Sequence, residues 1–306
     1  MSVALLFPGQ GTQHAAMLPW LEPAPAAQPA LHALCAMLGA DWRSRVSDTA
    51  WSQSNAVAQP LVTGASIAAW AALASGLPRV VAVAGYSVGE LAACVAAGML
   101  SGDDAMTLAL RRAGAMDACV CDGAAGLMGV SNVDPGDVAA ACDRHGLEIA
   151  IRTGDRRCVV GGPRLALSEA AAELEALGAT TALLGVRVPS HTRAMCTAVP
   201  VVAQALEQAR WHTPRVAWIA GITGAVVRDP VEARRVLAEQ VATTVHWDAC
   251  MDTVAERRPD VVLEVGPGAT LARLWHERYP GVPARSCDEF SGLPQVIEWV
   301  VRASGR

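Results

Sequence analysis

Lysine is absent from this sequence: all 24 of its Lys and Arg residues are arginine. That absence removes whole mechanisms, because there can be no Ser-Lys dyad, no Schiff-base lysine and no phosphate-loop lysine. Aromatic residues make up only 4% of the chain. The core must therefore rely on small aliphatic side chains, which suit close packing of helices on a sheet. Basic blocks are missing and the net charge is −5, which argues against a nucleic-acid partner. No apolar run reaches about 18 residues, and the opening segment Val3-Ala4-Leu5-Leu6-Phe7 has no basic leader, so no membrane partner is expected and the cytoplasm is the expected location. The nine cysteines are odd in number and scattered singly, apart from Cys119-Val120-Cys121. They read as thiols in a reducing compartment, with no disulfide framework and no metal site.

What is present is a chain of 306 residues, 52% apolar, enough for one large domain or a large one with a smaller insert. Residues 2–7 read as a buried strand ending in the loop Pro8-Gly9-Gln10-Gly11-Thr12-Gln13. Four prolines make a loop of residues 19–29, and helical patterns follow at 30–39 and 60–75. Gly76-Leu77-Pro78 breaks the chain before a strand at 79–84, after which helices open past Ser87 and over 103–120. The character then changes. Strands at 126–130, 148–152, 158–161 and 180–186, with helices at 135–145 and 165–177, give the order β-α-β-β-α-β, a ferredoxin-like pattern. Residues 123–187 are thus expected to form a small inserted subdomain, with 1–122 and 188–306 forming the large one. Beyond the insert the spacing predicts helices at 194–209, 230–242 and 247–257 and strands at 215–220 and 261–265. Such alternation implies an α/β fold with a mostly parallel sheet covered by helices on both faces.

The segment Gly85-Tyr86-Ser87-Val88-Gly89 lies between an apolar strand and a helix, the context of a nucleophile elbow. A serine in so sharp a turn needs small residues two places before and after it. Its hydroxyl then stands at the C-terminal edge of the sheet, where the next helix aims its N-terminal amides, so the Val88 amide is placed to help bind an oxyanion. With lysine absent, histidine is the natural base. Among seven, His145 ends a helix and His276 lies in a polar one, whereas His14, His32, His212 and His246 have no distinctive setting. His191 follows a strand and the turn Val188-Pro189-Ser190, the usual place for catalytic groups on an α/β sheet. Arg111 and Arg112 share a helix, and helical neighbours turn Arg112 further toward the apolar face. A guanidinium there needs an anionic partner, and a substrate carboxylate would serve.

The segments LLFPGQGTQ (5–13), GYSVGELAA (85–93), Arg112, VPSH (188–191) and LEVGPG (263–268) together resemble the malonyl-CoA:acyl carrier protein transacylases, nearly end to end. The resemblance implies an α/β-hydrolase-like large subdomain with an inserted ferredoxin-like one. It implies Ser87 as the acylated nucleophile, His191 as general base and acid, and Arg112 as the group that binds the malonyl carboxylate. It further implies the backbone amides of Gln10 and Val88 as the oxyanion hole, and the backbone carbonyl of Gln240 as the group that orients the histidine. No permanently bound cofactor is implied. Malonyl-CoA is the donor, and the acceptor is a phosphopantetheine-type thiol on an acyl carrier protein.

Three features depart from the fatty-acid enzymes: Tyr86 where histidine is usual, Thr243-Thr244 where Asn-Pro is common, and IRTGDRRCVVGG without its usual asparagine. The segments GYSVGELAA and QVATTVHW and the tail PARSCDEFSGL resemble the transacylase (epsilon) subunit of malonate decarboxylase. This subtype implies a dephospho-CoA-derived thiol on the decarboxylase's own carrier subunit, and the other decarboxylase subunits as partners. A housekeeping transacylase of fatty-acid or polyketide synthesis, a thioester hydrolase of the same fold and a catalytically idle carrier-docking subunit are the alternatives.

Overall fold

The computed structural model describes residues 1–120 and 123–305; Cys121 and the expected subdomain boundary at 122 lie outside them. Two sheets organise the molecule. The larger has six strands in the order β11-β10-β1-β2-β7-β8, formed by β1 (Ser2–Phe7), β2 (Arg79–Gly85), β7 (Ala217–Ile219), β8 (Val226–Val227), β10 (Val261–Glu264) and β11 (Ala284–Ser286). All its pairings are parallel except β7 with β8. Strand β1 is buried along its whole length, with Leu5 aligned between Val83 and Leu263. A strand covered on both faces should be a continuous apolar run, as Val3–Phe7 is.

The smaller sheet runs β6-β3-β5-β4-β9, from β3 (Ala125–Ser131), β4 (Glu148–Gly154), β5 (Arg157–Pro163), β6 (Thr180–Leu183) and β9 (Val245–His246). Its first four strands are antiparallel and carry the helices Pro135–His145 and Arg164–Ala176, in the ferredoxin-like order. Period-2 alternation divides its faces. Met128, Val130 and Val160 join a separate small core, whereas Leu127, Ile151 and Val159 join the main one. Strand β9 lies outside the insert in sequence and pairs parallel with β4 through Ile151 and Arg152.

Some boundaries differ from the spacing. The helix expected at 60–75 is Asn55–Leu73. A proline normally marks a first turn, but Pro60 lies in the second, where it removes one backbone hydrogen bond from a helix held by packing instead. By length and composition this helix could cross a membrane, yet 83% of its apolar window is buried within the molecule. Residues 19–29 contain two short 3-10 turns rather than only loop. The last small-subdomain strand stops at Leu183. The helix expected from 194 begins at Ala198 after a separate turn, Arg193–Met195.

Candidate active site

The strand β2 ends at Gly85 and the next helix runs Gly89–Ala96. Between them Ser87 has φ of 55°, a left-handed conformation that costs a non-glycine residue strain and persists only where the surroundings enforce it. The flanking glycines show how. A Cβ on Gly85 would lie 2.2 Å from the Glu90 nitrogen, and one on Gly89 2.3 Å from the Phe7 carbonyl oxygen. Tyr86 N donates to that same carbonyl at 2.9 Å. The turn is therefore clamped against the end of β1.

The clamp aims Ser87 at a histidine brought from 104 residues away. Ser87 Oγ lies 2.8 Å from His191 Nε2, and His191 Nδ1 lies 2.7 Å from the Gln240 carbonyl oxygen. That carbonyl can only accept, so Nδ1 carries the proton and Nε2 is free to accept from the serine. His191 is also left-handed (φ 65°), and its backbone N–H donates to Val241 O at 2.8 Å. Burial, reinforced by the nearby Arg112 charge and opposed by the Gln240 bond, lowers the imidazole pKa to about 3. The ring is held neutral, the form a general base requires.

Arg112 is 5% exposed while Arg111 stands on the surface and bonds to Gln208. The Arg112 guanidinium donates to Gln59 Oε1 at 2.7 Å, Gln240 Oε1 at 2.9 Å and Ser87 Oγ at 3.3 Å. All three acceptors are neutral. Ser87, Arg112 and Gln240 line a small, tight pocket together with Leu91, Leu108, Leu206 and Leu237. A charge faces an otherwise apolar space without a carboxylate hydrogen-bonded to it.

Gln10 follows β1, in a loop pressed against the elbow, since a Cβ on Gly9 would meet the Tyr86 oxygen at 2.7 Å. The Gln10 side chain donates to Asn55 Oδ1 at 2.8 Å, and Asn55 donates to Asp117 at 2.6 Å. The Val88 amide lies directly beside Ser87, at the start of the Gly89–Ala96 helix. The other histidines with recorded partners point elsewhere: His14 bonds to Asp288 and His145 to Glu173. Among the described residues no group of three or more His, Cys, Asp or Glu could hold a metal ion, and the eight described cysteines are free.

Sequence reasoning missed Gln59, Asn55 and Glu90. Glu90 is 1% exposed, and its Oε1 accepts from Gly221 N at 2.8 Å and Gln240 Nε2 at 2.6 Å. Burial pushes its carboxyl above the usual carboxylate range, against the pull of those two bonds and of Arg112. A signal existed: Glu90 is the one charged residue in the apolar helix Gly89–Ala96.

A strained serine on an elbow, a histidine in reach and an amide-rich turn define an acyl-transfer enzyme of the α/β class. The comparisons agree. Residues 4–287 match the acyl transferase domain family. The malonyl CoA-acyl carrier protein transacylase of Mycobacterium tuberculosis is 32% identical over 299 residues, covering 96% of this chain and 99% of the relative. The one from Escherichia coli is 26% identical, with coverage of 96% and 98%. A solved acyl-carrier-protein-S-malonyltransferase from Bartonella henselae superposes with a TM-score of 0.90 at 27% identity, covering all of both chains. This chain belongs to the malonyl-CoA:acyl carrier protein transacylase family of acyltransferases.

Proposed function

We propose that this enzyme moves a malonyl group from malonyl-CoA to the thiol of an acyl carrier protein through a malonyl-serine at Ser87, as a housekeeping transacylase. The observation that carries the reading is the buried, neutrally partnered Arg112 within 3.3 Å of Ser87 Oγ. His191 Nε2 takes the serine proton as Oγ attacks the thioester carbonyl. The Gln10 and Val88 amides receive the oxyanion. The tetrahedral intermediate collapses, the C–S bond breaks, and the CoA thiolate takes the proton from His191. The second half runs in reverse with the carrier thiol: His191 takes its proton, sulfur attacks the ester, and the proton returns to Ser87. Arg112 holds the malonyl carboxylate throughout, the 3.3 Å contact to Ser87 being the one a carboxylate replaces. No group of the protein's own is consumed, so no resident cofactor is required. We assign the enzyme to the cytoplasm, in keeping with the free thiols of its eight described cysteines.

The relatives' names favour this housekeeping role over loading of a malonate decarboxylase carrier. Two of the departures that suggested the decarboxylase have internal explanations. The Tyr86 ring packs edge-on against Trp247 with centroids 5.4 Å apart, and Thr244 Oγ1 donates to Ile149 O at 2.8 Å, joining the subdomains. Neither setting calls for an unusual acceptor.

Incubation with radiolabelled malonyl-CoA tests the reading. Label should appear on the wild-type chain, move to a fatty-acid carrier protein when its thiol is supplied, and be missing from Ser87→Ala by intact-mass spectrometry. Label that persists on the Ala variant excludes Ser87 as the attachment point. Release of free malonate at the same rate with and without carrier would instead establish the hydrolase.

A further inference from the structure

We propose that Glu90 is a positioning residue: its carboxyl fixes the side-chain amide of Gln240, so that Gln240 presents an acceptor to Arg112 and thereby sets selectivity for malonyl over uncharged acyl groups. The inference rests on the function proposed above.

Gln240 serves the site twice. Its backbone carbonyl accepts from His191 Nδ1 at 2.7 Å, and its side-chain Oε1 accepts from Arg112 Nη2 at 2.9 Å. The side-chain amide has a second orientation, rotated by half a turn, that exchanges oxygen and nitrogen. Rotated, it would aim N–H at a guanidinium that has only donors. Arg112 would lose an acceptor and be pushed from the pocket end.

Glu90 opposes that rotation. Gln240 Nε2 donates to Glu90 Oε1 at 2.6 Å and to the Ser87 carbonyl oxygen at 3.2 Å. Glu90 Oε1 also accepts from Gly221 N at 2.8 Å. A backbone N–H cannot become an acceptor, so Oε1 must remain one, and the group facing it must be the Gln240 NH₂. Donor and acceptor roles are then dictated at both ends of the amide, by Gly221 through Glu90 and by Arg112 directly. Glu90 lies one turn after Ser87 in the elbow helix, so the element that aims the nucleophile also sets the carboxylate-binding end. Gln240 and Glu90 are each 1% exposed, so water does not substitute readily for a lost bond.

Four proteins test this: wild type, Glu90→Gln, Glu90→Asp and Glu90→Leu, each assayed for kcat and KM with malonyl-CoA and acetyl-CoA. Glu90→Gln keeps an acceptor oxygen at the same reach and should stay within about threefold of wild type. Glu90→Leu removes the acceptor and should lose roughly ten- to a hundredfold in kcat/KM for malonyl-CoA, mostly in KM, with much less loss for acetyl-CoA. Glu90→Asp retracts the carboxyl by one methylene and should shift selectivity in the same direction, which keeps the test decisive if the Leu variant does not fold. Equal losses for the two substrates in Leu and Asp would mean a merely structural role and overturn the proposal. So would a Gln variant as impaired as Leu, because charge and not amide orientation would then matter. Wild-type labelling in the same series separates the two ideas. An unlabelled wild type defeats the function, whereas a labelled wild type with unmoved selectivity in the variants defeats only the role of Glu90.

Discussion

At the scale of single residues, the proposed function has Arg112 divide substrates by one carboxylate. Losing one partner of a desolvated charge pair costs about 2–5 kcal/mol, on the order of 30- to 4000-fold in malonyl transfer. Arg112→Ala should show that loss in kcat/KM for malonyl-CoA and leave slow acetyl transfer unchanged or faster. Arg112→Lys should recover only part, because an ammonium cannot reach the Gln59 and Gln240 oxygens and a carboxylate with one planar fork. Arg111→Ala, on the exposed face, should match wild type. Equal losses for both substrates in Arg112→Ala would remove its role. Of the three residues singled out by a local signature, Ser87 by its elbow, Arg112 by its helical neighbours and His191 by its strand end, the fold brings the last two within hydrogen-bonding reach of Ser87 Oγ. The Gln240 carbonyl came only through resemblance, because a backbone oxygen leaves no mark on residue identity. Glu90, Gln59 and Asn55 act through partners 150, 53 and 62 residues away, and a lone chain shows no such pairing.

At the scale of elements, the elbow is a packing solution before it is a catalytic one. Gly89→Ala would drive a methyl into the Phe7 and Pro8 carbonyls at 2.3 and 2.5 Å. Backbone cannot yield as a side-chain tip does, so a loss of roughly 1–3 kcal/mol is expected in urea unfolding, with Ser87 acylation falling alongside. Gly114→Ala is the contrasting change. It lies within the helix Gly102–Asp117 with nothing within 4 Å of the new Cβ and should stabilise by about 0.4–1 kcal/mol. A Gly89→Ala protein as stable and active as wild type would show that the turn is not clamped. Long, strongly patterned elements were readable: β1, β2 and the β-α-β-β-α-β order. Strands β8 and β9, two residues each, and β11, three, were not, because alternation needs more residues than they have and pairing alone creates them. Thr243 and Thr244 accordingly read as a family departure, although Thr244 ties the start of β9 to β4 through Ile149 O.

At the scale of the whole molecule, buried ionisable groups tie stability to pH. Glu90 and Glu264 are both pushed up to about 8 by burial, from 4.5. As pH rises past 4.5 the unfolded chain gives up these protons and the folded chain keeps them, so stability falls until about pH 8 and then levels. His191 works in the opposite direction, but its lowered pKa costs stability only as pH falls below 6.5. Between pH 6.5 and 8 the carboxyls decide, at up to about 1.4 kcal/mol per pH unit each. Melting temperature should therefore decline across that window. Glu264→Gln, which keeps an acceptor for the Ala272 N–H, should make the decline shallower. A melting temperature that rises over the same window would contradict the burial argument. The mostly parallel sheet and its insert were legible in outline from element order; the junction between them was not. That junction has a mechanical consequence. His246 in β9 hangs by its N–H from Gly221 O at 2.8 Å on the large side, while its strand is stitched to β4 on the small side. Any movement of the two halves apart would have to break these backbone bonds, so the seam resists such an opening.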